Sequence, residues 1–340
     1  MIIRYLLRRL FLLSFVFVAA TCFTFSLNYF YPGDLLTNFS GIQQIDDAQR
    51  QTLAASMGLE QSVVQQYILY VQRLVAGNWG LSFATQQPVI GEVQTVLPAT
   101  LELAAYALLV SLVIGIPLGL LAAIKHESWF ERTVSTLSSI GYSLPVFWWA
   151  LLLIMLFSLH WGLLPTSGRL SVLYEIPQVT GFMLLDILLA PVPYQTEALR
   201  DAIRHLALPT LILATYPTTV MIRFVRDSML EVLAQNYVKT ARAKGLSRSQ
   251  VLYHHGLRNA LLPVTHQVGL QFSTLITLAM MTEVIFSWPG IGQWLISSIY
   301  QRNFTAIQAG VLVISSVVVA VNMFTEILHT LLNPLARKDA

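Results

Sequence analysis

The chain has 340 residues, of which 55% are hydrophobic and only 11% are charged. Soluble domains carry about 25% charged residues, so this composition excludes an ordinary soluble domain and indicates a membrane protein. The net charge of +3 is small, and its distribution gives no indication of nucleic-acid binding.

Six apolar runs without acidic or basic residues are long enough to span a hydrocarbon core of about 30 Å, which takes roughly 17–25 helical residues. They predict an all-α integral membrane protein with six transmembrane helices. The fourth run is the shortest and contains Pro209 and Pro217, which predict a kink or tilt. The runs are Leu10–Gly33, Leu103–Ile124, Thr133–Trp161, Leu206–Ile222, Asn259–Thr282 and Asn303–Thr325.

Basic residues predict the orientation, because lysine and arginine favour the cytoplasmic side. Arg4, Arg8 and Arg9 precede the first run, and the segment between the fourth and fifth runs is also basic. Both termini are therefore expected in the cytoplasm. The first run also resembles a cleaved signal peptide, but its apolar residues continue past Cys22, which favours an uncleaved anchor.

This pattern divides the chain into three parts. Residues 1–32 form the N-terminal tip and first span, and residues 33–96 form a periplasmic region. Residues 97–335 form the membrane core, which includes a cytoplasmic loop at 227–262.

The cytoplasmic loop is much longer than a simple turn between helices requires. Its residues predict one helix over Ser228–Lys244, which ends at Gly245 as a C-cap, and a second helix with Ser247 as its N-cap. A helix lying on the inner leaflet is the alternative. The small residues around Tyr237 are more typical of a helix that docks into a protein cleft.

Catalytic chemistry is poorly represented. The sequence has no Gly-rich phosphate loop and no zinc-ligand spacing, and His254 and His255 are adjacent, so they point to different faces of a helix. An intramembrane protease remains as an alternative because His160, His266 and many serines are present. We expect no catalytic, cofactor-binding or metal-binding residues in this chain.

Polar residues at membrane depth are candidates for function. Glu102 follows Leu97-Pro-Ala-Thr and is expected to complement the N-terminal dipole of the second span. Glu283 is expected either to contact Arg302 or Arg204 or to line a translocation path.

Three further features concern helix packing and the path. Asn322 predicts an interhelical hydrogen bond, and Trp288-Pro-Gly predicts an aromatic anchor at the membrane interface. Glu283, Trp288 and Asn322 together are the candidate path or gate residues. Gly115-Ile-Pro-Leu-Gly119 predicts close approach of another helix, from this chain or from another subunit.

Several motifs resemble those of permease subunits of ABC importers, in the form typical of dipeptide and oligopeptide permeases. The loop motif is Tyr237-Val-Lys-Thr-Ala-Arg-Ala-Lys-Gly245-Leu, followed by Arg258-Asn-Ala-Leu-Leu-Pro263. Others are Gly77-Asn-Trp-Gly-Leu-Ser82, Leu164-Pro-Thr-Ser-Gly168 and Glu283-Val-Ile-Phe-Ser-Trp-Pro-Gly-Ile-Gly292. The residues Ser167-Gly-Arg and Gln235-Asn-Tyr-Val-Lys239 most resemble the Sap-type B permeases, which are associated with antimicrobial peptide resistance and putrescine export.

The resemblance implies the type I ABC importer transmembrane-domain fold in the cell inner membrane. It implies a heterodimer with a homologous permease, two cytoplasmic ATPase subunits that bind ATP, a periplasmic substrate-binding protein, surrounding membrane lipid and no nucleic acid. The residues that it implies for coupling to the ATPases are Tyr237, Lys239, Thr240, Ala241, Lys244, Gly245, Leu246 and Pro263.

The sequence therefore predicts a non-enzymatic permease subunit of an ATP-driven ABC transporter that moves di- or oligopeptides or antimicrobial peptides. Putrescine export by the same kind of permease is an alternative. An ion-driven secondary transporter and a membrane scaffold or receptor are the others.

Overall fold

Helices supply the regular structure of the chain, because a backbone in hydrocarbon must satisfy its own N–H and C=O groups. The computed structural model describes residues 2–30, 35–42 and 46–332. This described part contains no strand, only an isolated bridge between Leu81 and Pro88. The domain boundaries predicted at residues 32/33 and 335 lie outside the described residues.

Fifteen α-helices follow one another along the described ranges, and two short π-helical segments interrupt them. The first eight are α1 (Ile2–Phe30), α2 (Leu35–Ser40), α3 (Asp47–Met57), α4 (Val63–Val75), α5 (Val89–Ile124), α6 (Trp129–Ser143), α7 (Val146–Leu153) and α8 (Met183–Leu189). The others are α9 (Gln195–Ala234), α10 (Asn236–Ala243), α11 (Arg248–Gln250), α12 (Arg258–Leu261), α13 (Val264–Ile285), α14 (Ile291–Tyr300) and α15 (Phe304–Leu332). The π-helical segments are Ile154–His160 and Val251–Leu257.

Five of the described helices, α1, α5, α9, α13 and α15, are long and apolar enough to span a membrane. The predicted third span is not one straight helix. Its two parts, α6 and α7 with the following π-helical segment, meet at an angle of 103°. The chain is extended at Leu144 between them, because Pro145 disfavours the helical conformation of the preceding residue. The pair brings the number of apolar spanning units in the described chain to six if it crosses as one bent unit.

The predicted fourth span is wrong in its length, because α9 is the longest described helix and not the shortest. It has 40 residues and continues through Pro209 and Pro217. At 1.5 Å per residue it is roughly 60 Å long, about twice the thickness of a hydrocarbon core. It therefore reaches well beyond the membrane, toward the loop at 227–262.

The helix that packs against Gly115 and Gly119 is α9 of the same chain, which answers a question that the sequence left open. A Cβ atom built on Gly115 would lie 2.7 Å from Cβ of Met221. One built on Gly119 would lie 2.7 Å from the backbone oxygen of Ile222. Only glycine permits this approach, so α5 and α9 form a closely packed pair.

The other long helices pack around this pair. Leu103 of α5, Leu213 of α9, and Leu275 and Ala279 of α13 are fully or almost fully buried in one apolar cluster, against which residues of α15 also pack. On the side of α2–α4, a second cluster joins Phe25 of α1 to the short helices. The long helices are thus a single packed unit that carries the loops at both ends.

The close packing of α5 on α9 predicts that a single methyl group at Gly119 destabilises the protein. Gly119→Ala is expected to cost about 1–3 kcal/mol, because the backbone of α9 would have to shift. Gly91→Ala on the same helix is the matched control, since a Cβ there would meet no atom within 4 Å. Thermal unfolding in detergent should show a lower Tm for Gly119→Ala and an unchanged or higher Tm for Gly91→Ala. Equal Tm values would contradict the packing.

Candidate functional site

The loop after α9 begins with a break in the helix. The predicted single helix over Ser228–Lys244 is wrong, because α9 ends at Ala234 and Gln235 is extended, with φ −64° and ψ 150° to within a few degrees (ψ 148°). A new helix, α10, then begins at Asn236. The break redirects the chain, so α10 is a separate short helix at the end of a long one.

The predicted glycine turn after α10 is present. Gly245 has φ +86°, a conformation that side chains disfavour, and its N–H donates to the Arg242 oxygen at 3.0 Å. The N–H of Leu246 donates to the Ala241 oxygen at 3.3 Å. Ser247 then caps the next helix, because its hydroxyl accepts from the Gln250 N–H at 3.3 Å.

One face of α10 packs inside the loop. Val238 and Ala241 are buried against Val251, with Leu246 packed beside them. Ala241 therefore belongs to the internal packing of the loop, although the sequence suggested it as part of a docking surface. The opposite face is exposed, and Lys239, Thr240, Ala243 and Lys244 lie on it.

Contacts with α9 and α12 hold the loop in place. The Asn259 amide donates to the Tyr237 hydroxyl at 3.0 Å. The Ser228 hydroxyl on α9 donates to the Ala260 oxygen at 2.9 Å. A Cβ on Gly256 would lie 2.6 Å from Cε of Met229. Pro263 is the residue before α13. The eight sequence-predicted coupling residues thus belong to one compact segment that is attached to α9.

An ion pair that the sequence analysis missed joins α6 to α9 near this loop. Glu131 is buried and forms a salt bridge with Arg226, whose Nε donates to Oε1 at 2.7 Å. Nδ1 of His126 lies 3.0 Å from the same oxygen. A charged residue in the first turn of an otherwise apolar helix was the only signal in the sequence for this contact.

Glu102 does not complement the dipole of its own helix, because it lies thirteen residues after the end of the preceding loop, well inside α5. Its carboxylate forms a buried salt bridge with Arg169. It also accepts from the N–H groups of Met183 and Leu184, at 3.3 and 3.1 Å, at the start of α8. The predicted dipole partner was therefore wrong in identity: Glu102 holds the loop between α7 and α9.

Glu283 contacts neither Arg302 nor Arg204. It is fully buried, and the Thr100 hydroxyl donates to its Oε1 at 2.5 Å. Its other oxygen accepts from the N–H groups of Gly292 and Gln293 at 2.7 and 3.0 Å. The carboxylate therefore joins α5 and α13 to the first turn of α14, and within this chain it does not line an open surface.

Trp288 and Asn322 also take part in interhelical contacts. Trp288 is 1% exposed and its Nε1 donates to the Ala99 oxygen at 3.0 Å, so the predicted interfacial anchor is wrong. Asn322 donates to the Ser273 hydroxyl at 2.8 Å, which is the predicted interhelical hydrogen bond. Glu283 and Trp288 lie next to each other, whereas Asn322 lies elsewhere, between α13 and α15.

The contacts of Glu283 predict that Thr100→Val lowers stability. The hydroxyl donates to the carboxylate and accepts from the Ile291 N–H at 2.8 Å, so valine leaves two buried polar groups unpaired. The expected cost is about 1–3 kcal/mol, measured as a lower Tm in detergent. Thr95→Val is the control, because the hydroxyl of that exposed residue bonds only the Glu92 oxygen one turn earlier. An unchanged Tm for Thr100→Val would show that this network contributes little.

Comparison with known families matches nearly the whole chain. Residues 115–338 match the model described as "Binding-protein-dependent transport system inner membrane component". Residues 2–104 match the N-terminal model of the same kind of membrane component. The second of these covers α1–α4 and the start of α5, and the first covers the rest of α5 and the loop with α10.

Curated relatives of two kinds are similar over nearly their full length. The di/tripeptide transport system permease DppB of Pseudomonas aeruginosa is 45% identical over 333 residues, which cover 98% of each chain. The peptide transport system permease SapB of Salmonella typhimurium is 42% identical, covering 98% of this chain and 97% of the relative. SapB of Escherichia coli, named as a putrescine export permease, is 41% identical over the same shares.

Among solved structures, a chain of the inward-facing MetNI methionine ABC transporter matches with a TM-score of 0.50. The match covers 77% of this chain and 97% of that chain at 17% identity, so it concerns the fold alone. It agrees with an ABC importer transmembrane fold. With both family models and full-length relatives in agreement, the chain belongs to the family of binding-protein-dependent transport system inner membrane components, as a multi-pass subunit that transports and is not an enzyme.

Proposed function

We propose that this chain is the permease subunit of an ATP-driven transporter that moves peptides across the inner membrane. The observation that carries the proposal is the loop at 227–262, in which α10 is fixed to the end of α9 and exposes one basic face. A segment built in this way suits the transfer of force from a soluble partner. The two kinds of relatives named as peptide permeases support the substrate class.

Coupling depends on rigid contact, and the contacts of the loop supply it. Closure of the ATPases would move α10, and the bonds of Tyr237 and Ser228 would pass the movement to α12 and α9. Because α9 is a continuous helix of 40 residues, a displacement at its end reaches the membrane core. The Glu131–Arg226 ion pair would carry α6 along with it. The expected result is alternating access of a central cavity.

Members of this family work with ATPase and substrate-binding partners. For this chain we propose a heterodimer with a homologous permease, two cytoplasmic ATPase subunits and a periplasmic substrate-binding protein. The exposed Lys239, Thr240, Ala243 and Lys244 would enter a groove on one ATPase. This arrangement places both termini in the cytoplasm, on the same side as the loop.

The substrate class is tested by reconstitution of the full complex in lipid. ATP-dependent uptake of di- and oligopeptides is expected, with ATPase activity that rises when the loaded binding protein is added. Putrescine in the same assay tests export by the related mechanism. Uptake driven by an ion gradient without ATP would favour a secondary transporter, and purification without any ATPase would favour a scaffold.

The coupling role predicts that Gly245→Pro and Ala243→Trp abolish ATP-driven transport. Proline cannot adopt φ +86° and has no N–H to donate to the Arg242 oxygen, so the turn after α10 is lost. Tryptophan at the exposed Ala243 leaves the packing of the loop intact and obstructs a docking groove. Uptake, ATPase activity and co-purification of the ATPases are the measurements.

Ala243→Ser is the matched control and should behave like the original protein, because it stays small. The Tm of each variant in detergent separates failed docking from failed folding. Ala241→Trp differs from these variants, since that side chain is buried and its enlargement disturbs the loop itself. Normal transport by both Gly245→Pro and Ala243→Trp would refute the coupling role of α10.

A further inference from the structure

The break between α6 and α7 is the least regular backbone among the apolar spanning units. The two helices meet at 103°, and Leu144 between them is extended, with ψ 123°. Broken helices at membrane depth are tolerated only where protein buries them or where they line a water-filled cavity. In transporters, such discontinuous helices commonly lie beside the substrate.

The residues before the break divide α6 into a polar face and an apolar face. Ser139, Tyr142 and Ser143 are exposed on one side. Leu137 and Ile140, also exposed, point away from Tyr142, because successive residues turn by about 100° around the axis. Lipid favours the apolar face, and polar groups at this depth usually face a protein interior or water.

A stacked tyrosine pair continues this polar face onto α9. The rings of Tyr142 and Tyr216 lie 5.2 Å apart at an interplanar angle of 28°. The guanidinium of Arg223, two turns after Tyr216, lies 4.9 Å from the centre of the Tyr142 ring. Its Nη2 donates to the Ser139 hydroxyl at 3.2 Å. Two helices thus present one connected polar surface with an aromatic centre.

The charge of Arg223 has no acidic partner within the described residues, where the ion pairs of arginine involve Arg169 and Arg226 only. Arg226, less than one turn further along α9, is paired with Glu131. Arg223 instead contacts a tyrosine ring and a serine hydroxyl, both uncharged. A cation at the edge of a low-dielectric region attracts an anion strongly, and the geometry leaves its outer side open.

We propose that Ser139, Tyr142, Ser143, Tyr216 and Arg223 form the wall of the translocation path in this subunit, and that Arg223 binds the terminal carboxylate of the peptide. The proposal rests on the proposed transport of peptides. A guanidinium pairs well with a carboxylate, and the tyrosines offer flat apolar surfaces and hydroxyl groups to a peptide backbone. A diamine such as putrescine has no group for Arg223 and would be repelled by it.

Aqueous access to this surface can be measured residue by residue, because Cys22 is the only cysteine. In a Cys22→Ser background within the complete transporter, Tyr142→Cys and Ser143→Cys should react with a charged methanethiosulfonate reagent. Leu137→Cys and Ile140→Cys are the matched controls on the apolar face of α6 and should react slowly. Addition of a transported dipeptide should slow the labelling of Tyr142→Cys and Ser143→Cys. Equal labelling of both faces, or no protection by the peptide, would overturn the assignment.

The role of Arg223 is tested by comparing peptides with a free carboxylate and with a C-terminal amide. With the original chain, uptake of the free peptide should exceed that of the amide. In Arg223→Gln this preference should fall by roughly tenfold or more, as expected for loss of a charged hydrogen bond. Arg132→Gln, which removes an exposed arginine from the same end of α6, should retain the preference.

To separate selection in the path from selection by the binding protein, both peptides must first be shown to bind that protein. Failure of the unmodified transporter to take up any peptide would refute the proposed function itself. Peptide uptake with an unchanged carboxylate preference in Arg223→Gln would refute only the role of Arg223. That second result would indicate that Arg223 contacts lipid headgroups or the second permease instead.

Discussion

The close approach of α5 and α9 is the contact on which the rest of this structure depends. Lipid provides no hydrophobic force that would push two apolar helices together, so their association relies on tight van der Waals contact. Gly115 and Gly119 permit that contact because they lack a side chain, and the α9 backbone at Ile222 occupies the space. The pair forms the centre against which α13 and α15 pack. It also fixes the direction of the helix that ends at the cytoplasmic loop.

Buried carboxylates then attach the irregular segments to this helical centre. Glu102 holds Arg169 and the start of α8, and Glu283 holds the first turn of α14. In each case a carboxylate in the middle or at the end of a long helix accepts from backbone N–H groups that begin a short helix. Such N–H groups have no partner within their own helix, and a carboxylate both satisfies them and complements the helix dipole. The acids at membrane depth therefore have structural partners in this chain.

This arrangement separates the parts that are held from the parts that face a partner. The side chains of Glu102, Glu283 and Trp288 are buried and fully engaged within the chain. The outward face of α10 and the polar face of α6 are exposed, and both are linked to α9, by Ser228 at one place and by Tyr216 and Arg223 at the other. Movement of α10 would thus reach the proposed path through a single helix. The physical basis for coupling is the continuity of that helix.

Local chemistry in the sequence determined the apolar spans, the Gly245 turn and the Ser247 cap, because hydropathy, glycine conformation and capping depend on nearby residues. It also supplied the family motifs, which the comparisons agree with. Only the tertiary structure decided where α9 ends, since the helix-forming residues after Ala234 separate into α10 so that Val238 and Ala241 can pack on Val251. It likewise decided the partners of Glu102 and Glu283, which lie far along the chain in Arg169 and Thr100. A sequence read locally contains the charge of such a residue but not its partner, because the partner is chosen by how distant helices pack.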